Sequence, residues 1–135
     1  MTTTRHPIRI GARSRALVRL FFGATPKTAW AEVDGDGLRA RFGRFHLEAP
    51  LANIATWRIE GPFRWITAIG VRMSVRHRDL SFAGSPHGGV RMDFHVPVRY
   101  GPLRVPALYV GADDLEAFAA TLSALGIPGE DARRS

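Results

Sequence analysis

Six arginines, Arg39, Arg41, Arg72, Arg76, Arg91 and Arg99, alternate with apolar residues, which puts each on the outward face of a β-strand. A guanidinium presents its N–H donors as a rigid planar fork and stays charged at any working pH. Strands that align such residues therefore build a surface suited to phosphate or carboxylate. Arg41, Arg72 and Arg91 are the residues expected to hold an anionic ligand, with Glu48, Asp79 and Asp93 available to neutralise them. Eighteen of the 19 basic residues are arginine, a bias that GC-rich coding also produces. A second candidate is aromatic. Trp57 and Trp65, with Phe63 between Gly61-Pro62 and Gly70, could line an apolar ligand pocket. The competing role for large aromatics is to fill the core.

Sequence motifs for catalysis fail on their surroundings. His77-Arg78-Asp79-Leu80 matches the start of a protein-kinase catalytic loop, but the magnesium-holding Asn due five residues after the Asp is Gly84 here. Gly35-Asp36-Gly37-Leu38-Arg39-Ala40 fits a relaxed dinucleotide fingerprint, yet the residues from Leu38 to Phe42 alternate like a strand, and the pyrophosphate needs a helix N-terminus. The five histidines lack the i, i+4 spacing of a helical zinc site. Asp93 and His95 share a strand face and supply two ligands where a metal site needs three or four. The chain has no cysteine, which removes disulfides and thiolate chemistry. We therefore expect no cofactor and no metal; carboxylates are plentiful, but no pair is placed by the sequence alone, so a general acid-base site is neither shown nor excluded.

The net charge of +7 is uneven. Residues 1–31 carry Arg5, Arg9, Arg13, Arg15, Arg19 and Lys27 and no acid, and the remainder is nearly balanced. Residues 1–15 read as a flexible basic arm, able to make weak, non-specific contacts with nucleic acid or an acidic membrane and dispensable for folding. Residues 16–127 read as one domain and residues 128–135 as a flexible tail. No apolar run nears the roughly 20 residues of a membrane-spanning helix. Residues 16–24 faintly resemble a signal-peptide core, but Arg19 interrupts them, so the expected location is cytoplasmic.

The elements that must position these residues are mostly strands. Strands are expected near residues 29–33, 38–42, 45–48, 55–60, 71–75, 79–83, 90–99 and 103–110, the first two joined by a turn at Asp34-Gly35-Asp36-Gly37. Residues 16–22 fit a strand or a short helix equally well. Pro97 requires an edge, a bulge or a break in its strand. One helix is clear. Leu115, Phe118, Ala119, Leu122 and Leu125 form an apolar stripe, Asp113 with Glu116 forms a capping box, and Gly126 and Pro128 end it. The expected fold is α+β, mostly β: a seven- or eight-stranded antiparallel barrel or curved sheet capped by a C-terminal helix.

Several spaced segments carry a resemblance. They are Thr25-Pro26-Lys27-Thr28-Ala29-Trp30, Val33-Asp34-Gly35-Asp36-Gly37-Leu38, Arg41-Phe42-Gly43, Pro50-Leu51-Ala52-Asn53-Ile54, Glu60-Gly61-Pro62-Phe63-Arg64-Trp65, Asp79-Leu80-Ser81-Phe82 and Gly89-Val90, with residues 110–122. Over about residues 25–125 they resemble a family of small actinobacterial proteins of uncharacterised function. The strand and helix layout is similar to that of bacterial pleckstrin-homology-like domains. This likeness implies a fold and transfers no residue roles. The function expected is a non-catalytic binding module for a protein partner or anionic ligand. The alternative is a small barrel enzyme or carrier with an internal apolar pocket.

Overall fold

A computed structural model describes residues 4–11, 15–25, 27–61, 70–73, 80–83, 87–100 and 103–132. In chain order the elements are β1 (Thr4–Pro7), α1 (Arg15–Phe22), β2 (Ala29–Asp34), β3 (Gly37–Phe42), β4 (Phe45–Pro50), a 3-10 turn (Leu51–Asn53), β5 (Ile54–Glu60), β6 (Gly70–Met73), β7 (Leu80–Ala83), β8 (Gly89–Tyr100), β9 (Leu103–Val110), α2 (Leu115–Ala124) and β10 (Gly129–Asp131).

The Asp-Gly-Asp-Gly turn forms as its residues require. Asp34 Oδ1 accepts from the N–H groups of Asp36 at 2.9 Å and Gly37 at 3.2 Å, an Asx-type closure of the β2–β3 hairpin. Antiparallel pairing then builds a four-stranded sheet in the order β1-β2-β3-β4. A six-stranded sheet runs β10-β5-β8-β9-β7-β6, with β10–β5 and β7–β9 parallel and the other pairs antiparallel. Period-2 alternation buries one face of each. Ala31, Ala40 and Leu47 align on the first sheet, and Ile59, Val90, Val110 and Phe82 on the second. The two faces share one core, where Phe42 stacks on Phe82 with centroids 6.3 Å apart.

Four expectations need correction. Of the two alternatives, barrel or curved sheet, no closed barrel is found: among the described residues the strands form two sheets that share no ladder, two of the strand pairs are parallel, and α2 packs on β5, β8 and His6 of β1. The N-terminal segment is not a free arm. Thr4–Pro7 pairs with β2, Ile8 bridges Ala112, and Ile8 and His6 are buried. The tail contributes β10, because Trp57 donates its indole N–H to the Ile127 carbonyl at 3.0 Å and lays its ring where a Cβ on Gly129 would sit. The cap of α2 is Asp114, whose carboxylate accepts from Ala117 N–H at 3.0 Å. Asp113 is instead committed to β1: its N–H donates to the Pro7 carbonyl at 2.7 Å and its side chain pairs with Arg9.

Other elements form where the residue pattern puts them. Leu115, Phe118, Ala119 and Leu122 are buried along α2, and Gly126 with φ of 90° ends it while Ile127 N–H returns to the Leu122 carbonyl, a Schellman closure. Between Asp93 and Val98 the β8–β9 register shifts, a bulge that takes in Pro97. The ambiguous residues 16–22 are helical.

Candidate anion-binding surface

The candidate arginines Arg41, Arg72 and Arg91 do not converge, and Arg99 instead stands opposite Arg104 at the far end of the β8–β9 ladder, both exposed. Arg41 lies on the outer face of the four-stranded sheet, whereas Arg91 and the backbone of Arg72 belong to the outer face of the six-stranded one. There the register makes a single row, Glu130, Arg58, Arg91, Tyr109, Ser81 and Arg72. Carboxylates interleave with that row. Arg91 Nε lies 3.1 Å from Asp93 Oδ1, and Arg58 reaches Glu130 at 3.5 Å and Glu60 at 3.7 Å. Asp93 also accepts from the Thr56 hydroxyl at 3.4 Å, and His95 is exposed on the bulge. Among the described residues no three His, Asp or Glu side chains converge.

The four-stranded sheet divides its charge along the strands. In one row Arg5 and Arg39 flank Glu32, at 2.6 and 3.3 Å, and Arg39 also holds Asp34 at 2.7 Å. The Asp34 bond keeps Arg39 more firmly protonated than usual. The guanidinium of Arg5 also covers the Trp30 ring at 4.2 Å. One row further on stand Trp30, Arg41 and His46, without a carboxylate. Arg41 is exposed and donates through Nε to the Gly43 carbonyl at 2.7 Å.

That row leads to the β3–β4 turn, where α1 docks. Gly43 takes a φ of 64° and is crossed so closely that a Cβ there would lie 2.0 Å from the Phe22 carbonyl oxygen. Its N–H donates to Thr28 at 2.8 Å, and Arg44 N–H donates to the Phe22 carbonyl at 3.2 Å. Phe22 sits against Phe42 and Phe45 with centroids 6.0 and 6.1 Å apart. These contacts gather exposed Arg19, Lys27, Arg41 and Arg44 at one end of the sheet, and Arg15 extends the set along α1. Residues 15–31 and 38–47 contain no acid. Among the described residues no ion pair engages Arg15 or Arg19. An open groove of about 620 Å³ is lined by Arg15, Ala16, Arg19 and Leu20.

The aromatic candidates separate. Trp57 is half-buried and committed to Ile127 and Gly129 as a peg for the C-terminal segment. Trp65 and Phe63, like Arg76 and His77-Arg78-Asp79, lie outside the described residues. Sequence reasoning placed Arg41 on an outer face, as the structure does, and did not single out Arg15, Arg19, Lys27 or Arg44 for the exposed basic end. The available signal was the acid-free first 31 residues, whose charge was assigned to an arm instead of a helix and a turn.

No family model, no curated protein and no solved structure matches the chain.

Proposed function

We propose that this protein is a non-catalytic binding module that docks an anionic partner against the basic end formed by α1, the turn carrying Lys27 and the β3–β4 turn. One observation carries the reading. Arg5, Arg39, Arg58 and Arg91 on the strands are matched by carboxylates, whereas Arg15, Arg19, Lys27 and Arg41 are exposed in acid-free stretches that the fold brings together, with Arg44 beside them. Clustered cations of this kind raise the local concentration of phosphate or carboxylate groups, and salt weakens the effect. The internal-carrier alternative has less support, because Phe42, Phe82, Phe118, Met92 and Leu108 occupy the space between the sheets. The pleckstrin-homology-like layout, proposed from likeness alone, is compatible with a binding role and assigns no residues.

Titration with heparin at two salt concentrations tests the reading. The wild type should bind, and more weakly at high salt. The triple variant Arg15→Gln, Arg19→Gln, Lys27→Gln should lose most of that affinity at unchanged Tm. The double variant Arg58→Gln, Arg91→Gln should keep it. Equal losses from both variants would place binding elsewhere.

A further inference from the structure

We infer that the anionic partner is a lipid bilayer surface, and that α1 lies in its interface with Leu20 among the acyl chains and Arg15 and Arg19 at the phosphates. The inference rests on the basic end being the docking surface, and goes further by naming the partner that docks there. Its independent support is Leu20, which is 73% exposed on the same helix as the cations. A polyanion in water does not account for that exposure, since a nucleic-acid backbone offers phosphates without an apolar layer behind them. A bilayer offers both within a few ångströms of each other.

The arrangement of α1 suits this partner. At about 100° per residue, Arg15 and Arg19 share one edge of the exposed arc, and Ala16 and Leu20 share the other. All four are among the residues that line the open groove, so cationic and apolar surface adjoin there. The helix has 8 residues, about 12 Å, and among the described residues no helix is long and apolar enough to cross a membrane. Attachment would therefore be superficial, with Phe22 holding the helix to the core while its outer arc faces lipid. Among the described residues the other large exposed hydrophobic is Val96 at 59%, in the β8 bulge and off α1, where Asn53 holds its backbone, and it serves as a built-in control.

The test uses phosphatidylcholine vesicles with or without phosphatidylserine, and a short DNA duplex as the competing polyanion. The full chain should bind only the acidic vesicles, with an affinity that falls with salt. Arg19→Gln should weaken vesicle binding about fivefold. Leu20→Ser should weaken it about tenfold and leave duplex binding unchanged. Because the chain has no cysteine, Leu20→Cys and Val96→Cys can each carry a single environment-sensitive dye. The dye at position 20 should shift to the blue on acidic vesicles, and the dye at 96 should not. If Leu20→Ser binds vesicles like the wild type, or the dye at 20 stays in water, the membrane inference is overturned. Retained binding to heparin and duplex would then leave the anionic docking reading standing. If the wild type binds neither vesicles nor polyanions, both fall together.

Discussion

Replacing Ile8 by alanine separates an integral N-terminal strand from a solvated arm. Ile8 is 3% exposed, donates its N–H to the Ala29 carbonyl at 2.9 Å, and bridges Ala112 at the entry to α2. The substitution removes three side-chain carbons, worth about 2.4 kcal/mol at ~0.8 kcal/mol each. A residual cavity raises the expected loss to about 3–4 kcal/mol. A domain of this size is stable by about 5–15 kcal/mol, so the variant should still fold. Its Tm should fall by about 9–20 °C, judged from ~3–5 °C per kcal/mol at this chain length. Arg9→Ala is the matched control. It removes a neighbouring ion pair with Asp113 whose side chains are 44% and 54% exposed, and such pairs contribute under about 1 kcal/mol. Calorimetry and urea titration of the two variants decide. If Ile8→Ala melts within about 2 °C of the wild type, well under 1 kcal/mol at this chain length, the residue that follows β1 is not packed in the core and the segment behaves as a solvated arm.

Three further outcomes are expected. Phe118→Ala, at a side chain with no exposure, should cost about 3–5 kcal/mol in urea unfolding, against about 1 kcal/mol for Thr121→Ala and almost nothing for exposed Ser123→Ala. Thr121 is not inert, because its hydroxyl donates to the Ala117 carbonyl and shares a hydrogen bond of 3.0 Å with His6 Nε2. Burial lowers the His6 pKa below 6.5, with Asp114 opposing, so the unfolded chain takes up that proton first as pH falls. This contribution is whole above about pH 6.5 and lost below it, with a slope of at most ~1.4 kcal/mol per pH unit, and His6→Gln should remove that slope from the urea midpoints. Gly43→Ala should cost upwards of about 2 kcal/mol, because a Cβ there meets the Phe22 carbonyl at positive φ, and should weaken heparin binding by displacing α1. An unchanged Tm for Gly43→Ala would mean that α1 is not anchored there.

Legibility followed how local each signal was. The β2–β3 hairpin and α2 are written in neighbouring residues, turn chemistry in one and a 3.6-residue stripe in the other, and both form nearly where expected. β1 was illegible because its core-facing positions include His6, a polar residue that is buried only because Phe118 and Thr121 receive it from 112 and 115 positions away. β10 reads Gly-Glu-Asp, a turn by composition, and becomes a strand only under Trp57. The cap of α2 moved by one residue because Asp113 is drawn to β1. For the site, alternation announced which arginines face outward but not their partners. Only the register places Glu32 between Arg5 and Arg39.

The acid-free N-terminal segment holds arginines of two kinds, paired and exposed, and the fold divides them by element. In β1 and just after it, arginines are matched across the chain, Arg5 by Glu32 and Arg9 by Asp113, so this part commits its charge to closing the sheet over α2. In α1, Arg15 and Arg19 stay exposed beside Leu20, and the helix is fixed from behind by Phe22 and the glycine turn. The elements should therefore respond oppositely to mutation. Substitutions at Ile8 or His6 should lower stability and leave the affinity of the folded fraction unchanged. Substitutions at Arg15, Arg19 or Leu20 should lower affinity at constant stability. Gly43 is where the two effects meet, since it sets α1 against the core through backbone contact alone. A variant there that loses stability and binding together, beside outer-arc variants that lose only binding, would locate the docking function on the helix rather than in the charge of a disordered terminus.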